Sequence, residues 1–245
     1  MKKNFYLLFC LSLLFNSLIA QDLLKAVDEK NHTQVESLIK SGAKVSKTNK
    51  IGQFPLWIAV WNEDSTMVKL LIINGADVNQ RFKGKESTGN CLEIACQNGL
   101  TDIVRILVEN GGDINKKEFR GHSPLRVAAR NGRTDIVKYL IGKNAEIDSQ
   151  GDDQATPLEH AAGKGHLEIV QMLVENGANI NHQDKDKDTP LGEASKSGHL
   201  EVVKYLLLKG ADISLKNNEG RTAEDLAKIM GQAKVEALLK EKRGF

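Results

Sequence analysis

Two cysteines, Cys91 and Cys96, are the first candidates for chemistry in this sequence. They are five residues apart in a stretch with helical character, so about 7.5 Å separates them along the helix axis. A disulfide needs Cα atoms closer than about 7 Å, and no histidine stands nearby in the sequence to complete a metal site. The pair is therefore interpreted as two small, unreactive core thiols, with thiol or metal chemistry as the alternative.

The remaining polar residues form no catalytic or metal-binding pattern. Asp184, Asp186 and Asp188 alternate like the start of a calcium loop. Such a loop needs glycine at its sixth position and glutamate at its twelfth, where this chain has Thr189 and Ser195. The sequence also contains no phosphate-binding glycine loop, nucleophile elbow or carboxylate pair. We therefore predict no catalytic residue, no metal and no cofactor.

The charge balance excludes one further class of function. The 245 residues include 34 basic and 32 acidic side chains, which give a formal net charge of +2. Proteins that bind nucleic acid through bulk positive charge carry a larger basic excess. We therefore expect no nucleic-acid partner.

The N-terminal segment has the three parts of a secretory signal. Two lysines precede an apolar run that extends from Phe5 to Phe15, and Ala20 offers a small residue before a cleavage site. The run is shorter than the roughly 20 apolar residues of a membrane span, and an uncleaved anchor is the alternative. We expect a signal peptide over residues 1–20, a periplasmic or secreted location, and no stable membrane span once the signal is removed.

All four prolines of the chain fall on one period. Pro55, Pro124, Pro157 and Pro190 are separated by 69, 33 and 33 residues, and 69 is 33 plus 36. A fixed period of this length indicates a stacked array of small units rather than one or two compact domains.

Each period of about 33 residues contains the same helix start and stop signals in the same order. A threonine or serine followed by proline, as at Thr156 and Pro157, is a helix N-cap with a first-turn proline. Small alanines and a glycine break follow, and then a second apolar helix ends at a glycine such as Gly177, which suits a left-handed cap. Two helices per unit are therefore predicted.

These residues resemble the ankyrin repeat. The stretch TPLEHAAGKGHLEIVQMLVENGANIN, Thr156–Asn181, follows the family pattern of Thr-Pro-Leu-His, paired alanines, Gly-His, an apolar helix and Gly-Ala-Asp almost throughout. The resemblance implies an all-α ankyrin-repeat solenoid of about seven helix-turn-helix repeats with short hairpin-like turns. The repeats are expected at approximately 21–48, 49–84, 85–117, 118–150, 151–183, 184–216 and 217–245.

Two features depart from the family pattern. The histidine of Thr-Pro-Leu-His, which in the family links adjacent repeats by hydrogen bonds, is replaced in every repeat, for example by Arg126 and Glu159. We expect that bond network to be absent or rebuilt. Three extra residues, aligned with Phe82, Lys83 and Gly84, lengthen one turn between repeats on a face that repeat proteins commonly use for binding.

The resemblance implies a non-enzymatic scaffold, expected to be a monomer, that binds an unidentified protein partner on its concave face. That face comprises the turn tips and the ends of the first helices. Exposed aromatic and arginine side chains dominate binding energy. On this basis the partner contacts are predicted at Trp61, Phe82, Lys83, Phe119, Arg120 and Arg130. For Trp61, simple coverage of apolar area against the first repeat is an equally open interpretation.

The biological role stays open at the level of sequence. An exported scaffold of this kind could neutralise a toxin, support an envelope enzyme or act on a host cell. An accessory stress protein with thiol or metal chemistry at Cys91 and Cys96 is the alternative function.

Overall fold

The computed structural model describes residues 22–83 and 88–244, apart from the side chains of Lys83, Thr88 and Phe119. The expected signal peptide over residues 1–20 lies outside the described residues, and so does Gly84 of the inserted segment.

The described residues form successive pairs of short helices, which confirms the predicted all-α fold class. The first pair is α1 (residues 22–28) and α2 (His32–Lys40). The pairs that follow are α3 (Pro55–Trp61) with α4 (Ser65–Ile73), α5 (Cys91–Asn98) with α6 (Thr101–Glu109), α7 (Pro124–Arg130) with α8 (Thr134–Gly142), α9 (Pro157–Lys164) with α10 (Leu167–Glu175), α11 (Pro190–Ser197) with α12 (Leu200–Leu208), and α13 (Ala223–Ile229) with α14 (Ala233–Arg243).

Side-chain caps determine where the first helix of several pairs begins. The hydroxyls of Ser123, Thr156 and Thr189 accept backbone N–H groups three residues ahead at 3.0 to 3.4 Å, and each precedes a first-turn proline. Asn90 occupies the same position without proline, and its Oδ1 accepts the backbone N–H of Glu93 at 2.9 Å. The caps predicted from the Ser/Thr-Pro pattern are therefore present.

The chain divides into two compact units. The first consists of the described part of Met1–Ala95 with Leu100–Asp113, and the second of Cys96–Gly99 with Ile114–Phe245. In the first unit, α4 packs against both α3 and α6. In the second, the first helices α7, α9, α11 and α13 pack on one another in order, and the second helices α8, α10, α12 and α14 do the same. Each pair in this second unit is thus stabilised by its neighbours in the sequence.

The paired alanines of the repeat are buried on first helices that pack against one another. Ala161 and Ala162 of α9 are fully buried, and α9 packs against both α7 and α11. Leu173 of α10 is also fully buried and completes the core of this pair. Small side chains are needed at such positions because larger ones would hold the helices apart.

Phe82 and Lys83 of the lengthened turn lie in a two-stranded β-hairpin of the first unit. Strand β1 (Arg81–Lys83) pairs with the antiparallel strand β2 (Thr88–Asn90), and Phe82 lies opposite Gly89 in the register. The hairpin leads directly into α5, so the insertion extends the turn without interrupting the helix that follows.

Candidate functional site

Three aromatic rings in the first unit form one stacked group, which we call the aromatic cluster (Trp57, Trp61 and Phe82). The two tryptophans are four residues apart on α3, so their side chains lie on one side of the helix. Their ring centroids are 5.3 Å apart with an interplanar angle of 10°. Strand β1 brings Phe82 to Trp57, with centroids 4.9 Å apart and planes inclined by 19°. The hairpin and α3 therefore hold the three rings together.

Two rings of the aromatic cluster are half-buried, and the third, Trp61, is exposed to solvent. Trp57 and Phe82 are half-buried, whereas Trp61 is 59% exposed at the end of α3. Stacking restrains the exposed indole, so a group that binds to it would immobilise little additional side-chain freedom.

The structure places two of the predicted contact residues in this cluster and leaves a third beside it. Trp61 and Phe82 meet through Trp57, which the sequence prediction did not include. The four-residue spacing of the two tryptophans was the signal that could have identified it. Lys83 pairs with Thr88 in the hairpin backbone, and its side chain is outside the described part of the chain.

The other predicted contact residues lie at the two ends of α7 in the second unit. Phe119 and Arg120 form a 3₁₀ turn before α7, where exposed Arg120 has a φ of 57° and its carbonyl accepts the N–H of Asp152 at 3.0 Å. The side chain of Phe119 is not described. Arg130 is exposed at the end of α7, and its carbonyl bonds to Nε2 of His166 at 3.3 Å.

Arg126 takes the position of the family histidine on α7 and reaches the next repeat. Its side chain is only 2% exposed, and its Nη2 forms an ion pair with Oδ2 of Asp153. Its Nε and Nη1 have no hydrogen-bond partner among the described residues. The guanidinium lies directly against Gly151, where an added Cβ would stand 1.7 Å from Nη1.

Two histidines near this arginine are held in the neutral form. Burial, followed by the charge of Arg126, lowers the pKa of His160 to about 4. Burial and the charges of Arg126 and Arg130 also lower the pKa of His122. Burial raises the pKa of Asp153, but the N–H of Ala155 and the charge of Arg126 outweigh it, so this pKa stays below its ordinary value.

Glu159 takes the family histidine position in the next repeat. Its Oε2 accepts the backbone N–H of Thr156 at 2.6 Å, the hydroxyl of Thr156 at 3.0 Å and Nδ1 of His182 at 3.2 Å. Burial is the main cause that raises the pKa of this carboxyl to about 8. The Arg126–Asp153 and Glu159–His182 pairs each join a first helix to a following turn, so the network lost with the family histidine is rebuilt with other residues.

The histidines that precede two of the second helices, His166 and His199, connect neighbouring repeats. Nε2 of His199 bonds to the carbonyl of Gly163 at 3.2 Å, just as His166 bonds to Arg130. These contacts run from one repeat to the end of the first helix in the previous repeat.

Neither Cys91 nor Cys96 forms a disulfide, and both side chains are fully buried. Burial raises the pKa of Cys91, which disfavours the thiolate that would react with an oxidant or bind a metal. Within residues 22–83 and 88–244, no group of three or more His, Cys, Asp or Glu side chains is arranged to hold a metal ion. None of the helices described here has the length and hydrophobicity needed to cross a membrane.

Models of known protein families match most of the chain. A family model described as ankyrin repeats (3 copies) matches residues 23–118 and 92–184, and one described as ankyrin repeats (many copies) matches residues 173–227. The chain belongs to the ankyrin repeat family. Ankyrin repeats are scaffolds for protein–protein interaction and are typically non-enzymatic, so this ankyrin protein has protein partners. No curated protein matches the chain.

Proposed function

We propose that this ankyrin repeat protein is an exported, non-enzymatic scaffold that binds a protein partner on its concave face. The observation that carries the proposal is the aromatic cluster, in which a 59% exposed tryptophan, Trp61, is held by stacking on Trp57. A large, restrained and exposed aromatic side chain is the type of residue that most often dominates the energy of a protein interface.

The remaining predicted contacts lie in both units and are assigned within each unit separately. Phe82 supports the cluster from the hairpin, and Lys83 lies next to it on β1. In the second unit, the exposed side chains of Arg120 and Arg130 are suited to partner carboxylates. We assign Phe119 to the contacts of the second unit because it lies in the turn before α7, where an ankyrin repeat exposes its tip.

The first experiment identifies the partner and then tests Trp61. Affinity capture from the native envelope fraction, followed by mass spectrometry, should yield a protein that binds the purified scaffold directly. We expect Trp61→Ala to weaken that binding by about 2 kcal/mol or more, the usual threshold for a dominant interface residue.

A matched control is available in the same unit. Ile73 ends α4 and is 83% exposed, so Ile73→Ala removes exposed apolar area outside the aromatic cluster and should leave binding unchanged. Unchanged affinity in Trp61→Ala would contradict the proposal, as would a loss confined to changes at Asp152, Asp186 and Asp188.

Export rests on the N-terminal pattern, and we propose a periplasmic or secreted location on that basis. N-terminal sequencing of the protein from the envelope fraction should begin at Gln21, after cleavage behind Ala20. Intact Met1 on protein recovered from a cytosolic fraction would refute this part of the proposal.

The alternative function, thiol or metal chemistry at Cys91 and Cys96, is disfavoured because both side chains are fully buried. Thiol titration of the folded protein distinguishes the two functions. A scaffold should react only after unfolding, whereas an accessory stress protein with redox chemistry should react while folded.

A further inference from the structure

Four side chains in the second unit form a group that we call the basic cluster (His122, Arg126, Arg130 and His160). Arg126 and Arg130 are four residues apart on α7 and therefore lie on one side of it. His122 stands in the turn before α7, and His160 lies on α9, which packs against α7. Both arginines are close enough to lower the pKa of both histidines.

Arg126 gives the basic cluster a fixed positive charge. Its side chain is 2% exposed and is held between Gly151 and the 51% exposed carboxylate of Asp153. A guanidinium stays charged at any ordinary pH, and here its Nε and Nη1 find no partner in the described structure. One partly solvated carboxylate therefore offsets this buried charge incompletely.

The two histidines contribute hydrogen-bonding capacity without adding charge. Their lowered pKa values keep both rings neutral near pH 7. Nε2 of His160 is buried and has no partner among the described residues. A neutral ring can donate one N–H, and it can also take up a proton if negative charge arrives beside it.

Arg130 is the accessible member of the basic cluster. Its side chain is exposed and makes no ion pair with any residue in the described ranges. Only its backbone carbonyl is engaged, by His166. The guanidinium is therefore free to bind an incoming group.

We propose that the basic cluster is a binding site for a carboxylate, supplied by an aspartate or glutamate side chain of the protein partner. Arg130 makes the direct contact, and the fixed charge of Arg126 strengthens it. A carboxylate fits because guanidinium groups can bind it through two parallel hydrogen bonds, and because a carboxylate of this chain, Asp153, already pairs with Nη2 of Arg126. The inference rests on the proposed scaffold function and names the chemistry of one contact.

Binding at this site should take up protons. A bound carboxylate favours the charged form of His122 and His160, so their pKa values should rise on binding and the affinity should increase as the pH falls from 7 to 5. Charged and titratable groups on the elements beside the cluster are Glu118, Arg120, Asp152 and Asp153 in the turns, Glu159 and Lys164 on α9, His166 before α10, and Glu193 and Lys196 on α11. Glu193 and Lys196 pair with each other at 3.3 Å, and Asp153 stays ionised in this range because its pKa is lowered.

The test uses the whole protein and two short peptides that differ in one group. Acetyl-Gly-Glu-Gly-amide supplies a carboxylate, and acetyl-Gly-Gln-Gly-amide is its uncharged counterpart. Histidine ring signals are followed by NMR and assigned with His122→Gln and His160→Gln. We expect the glutamate peptide to shift both signals, to raise both titration midpoints and to bind more tightly at pH 5 than at pH 7.

Matched variants separate this site from general attraction to a basic protein. Arg130→Gln should weaken binding of the glutamate peptide at least about tenfold, the usual effect of losing a charge-assisted bond. Lys138→Gln removes the same charge from an exposed position on α8 and should leave the affinity unchanged.

Three results would overturn the inference: equal binding of the two peptides, equal losses in the two variants, or tighter binding of inorganic phosphate than of the glutamate peptide. The outcome is separable from that of the proposed function. Trp61→Ala lies in the other unit and should not change peptide binding, whereas it should weaken the captured partner.

Discussion

At the scale of single residues, Arg126 and Gly151 depend on each other. Arg126 replaces the family histidine with a side chain that is longer and always charged, and it reaches Asp153 only by passing directly against Gly151. The absence of a Cβ at Gly151 therefore makes room for the ion pair that connects two repeats.

We predict that Gly151→Ala destabilises the protein. The added Cβ would stand 1.7 Å from Nη1 of Arg126, so the buried guanidinium would have to move away from Asp153. Overpacking of this kind costs about 1 to 3 kcal/mol. Urea unfolding followed by circular dichroism measures the change.

The control for this substitution is Gly142→Ala at the end of α8. Apart from its chain neighbours and the backbone of its own helix, no atom of the described residues lies within 4 Å of the position that its Cβ would occupy. It should leave stability unchanged or raise it by up to about 1 kcal/mol, since alanine favours helix. Similar losses in both variants would show that the contact with Arg126 is unimportant.

Glu159 gives a second prediction at this scale, concerning pH. Its pKa is about 8 in the folded protein and near 4.5 when unfolded. The stability that its protonated form provides is therefore complete below pH 4.5 and is lost as the pH rises through 8. Glu159→Gln should match the parent protein at pH 4.5 and exceed its stability at pH 8 by at least about 1 kcal/mol, since one pKa unit corresponds to about 1.4 kcal/mol.

The matched control is Asp225, which caps α13 in the same way as Glu159 caps α9. Its Oδ2 accepts the N–H of Thr222 at 3.0 Å, and this bond lowers its pKa. Asp225→Asn should reduce stability by a constant amount between pH 5 and pH 8, because Asp225 stays ionised throughout that range. A stability difference for Glu159→Gln that did not vary with pH would rule out the burial effect.

At the scale of elements, local sequence signals predict the helices. The contacts between distant parts of the chain cannot be predicted from those local signals. Thr156, Pro157 and the apolar spacing of α10 act within a few residues, so the helix pairs could be derived from the sequence. The contact between Phe82 and Trp57 depends on the register of β1 and β2, which is a non-local property. The sequence predicted a longer turn at Phe82, but it did not predict that Phe82 would stack on Trp57.

The pairing of Arg126 with Asp153 could not be predicted from the sequence for a similar reason. The sequence showed that the family histidine was missing, but a side chain and its partner 27 residues away can be matched only when the stacking of the repeats is known. Charge alone offered several candidate carboxylates in the same turn.

We predict that Phe82→Ala lowers the stability of the first unit against unfolding. The change removes one ring from the aromatic cluster, and stacked pairs contribute about 0.5 to 1.5 kcal/mol beyond their buried area. Urea unfolding monitored by tryptophan fluorescence should show a lower midpoint, and partner binding should weaken because Trp57, which positions Trp61, loses support.

Ile51→Ala is the control for this element. Ile51 is 63% exposed in the turn before α3, so its truncation should leave the unfolding midpoint nearly unchanged. An unaltered midpoint in Phe82→Ala would mean that the hairpin does not hold the cluster.

At the scale of the whole molecule, the net charge is near zero, but positive and negative side chains are concentrated in different places. The formal charge is +2, yet the second unit has a basic cluster on α7 and α9 and a turn with three aspartates, Asp184, Asp186 and Asp188. In that turn Oδ1 of Asp184 accepts the N–H groups of the other two at 2.9 Å, so its oxygens stabilise the turn itself. A partner that uses the proposed site would therefore be oriented by the distribution of charge, since the total provides no long-range attraction.

The repeat architecture also predicts how the molecule opens. In the second unit α9 packs against α7 and α11, the first helices on both sides of it, whereas α13 has one such neighbour, α11, and packs also against its own partner α14. Because repeat arrays are stabilised by contacts between neighbours, terminal repeats have fewer of these contacts. We expect hydrogen exchange in mild urea to be fastest over residues 22–41 and 223–240 and slowest over residues 156–181, which follow the family pattern most closely. Uniform protection along the chain, or fastest exchange in residues 156–181, would mean that contacts between neighbouring repeats do not set the stability of this protein.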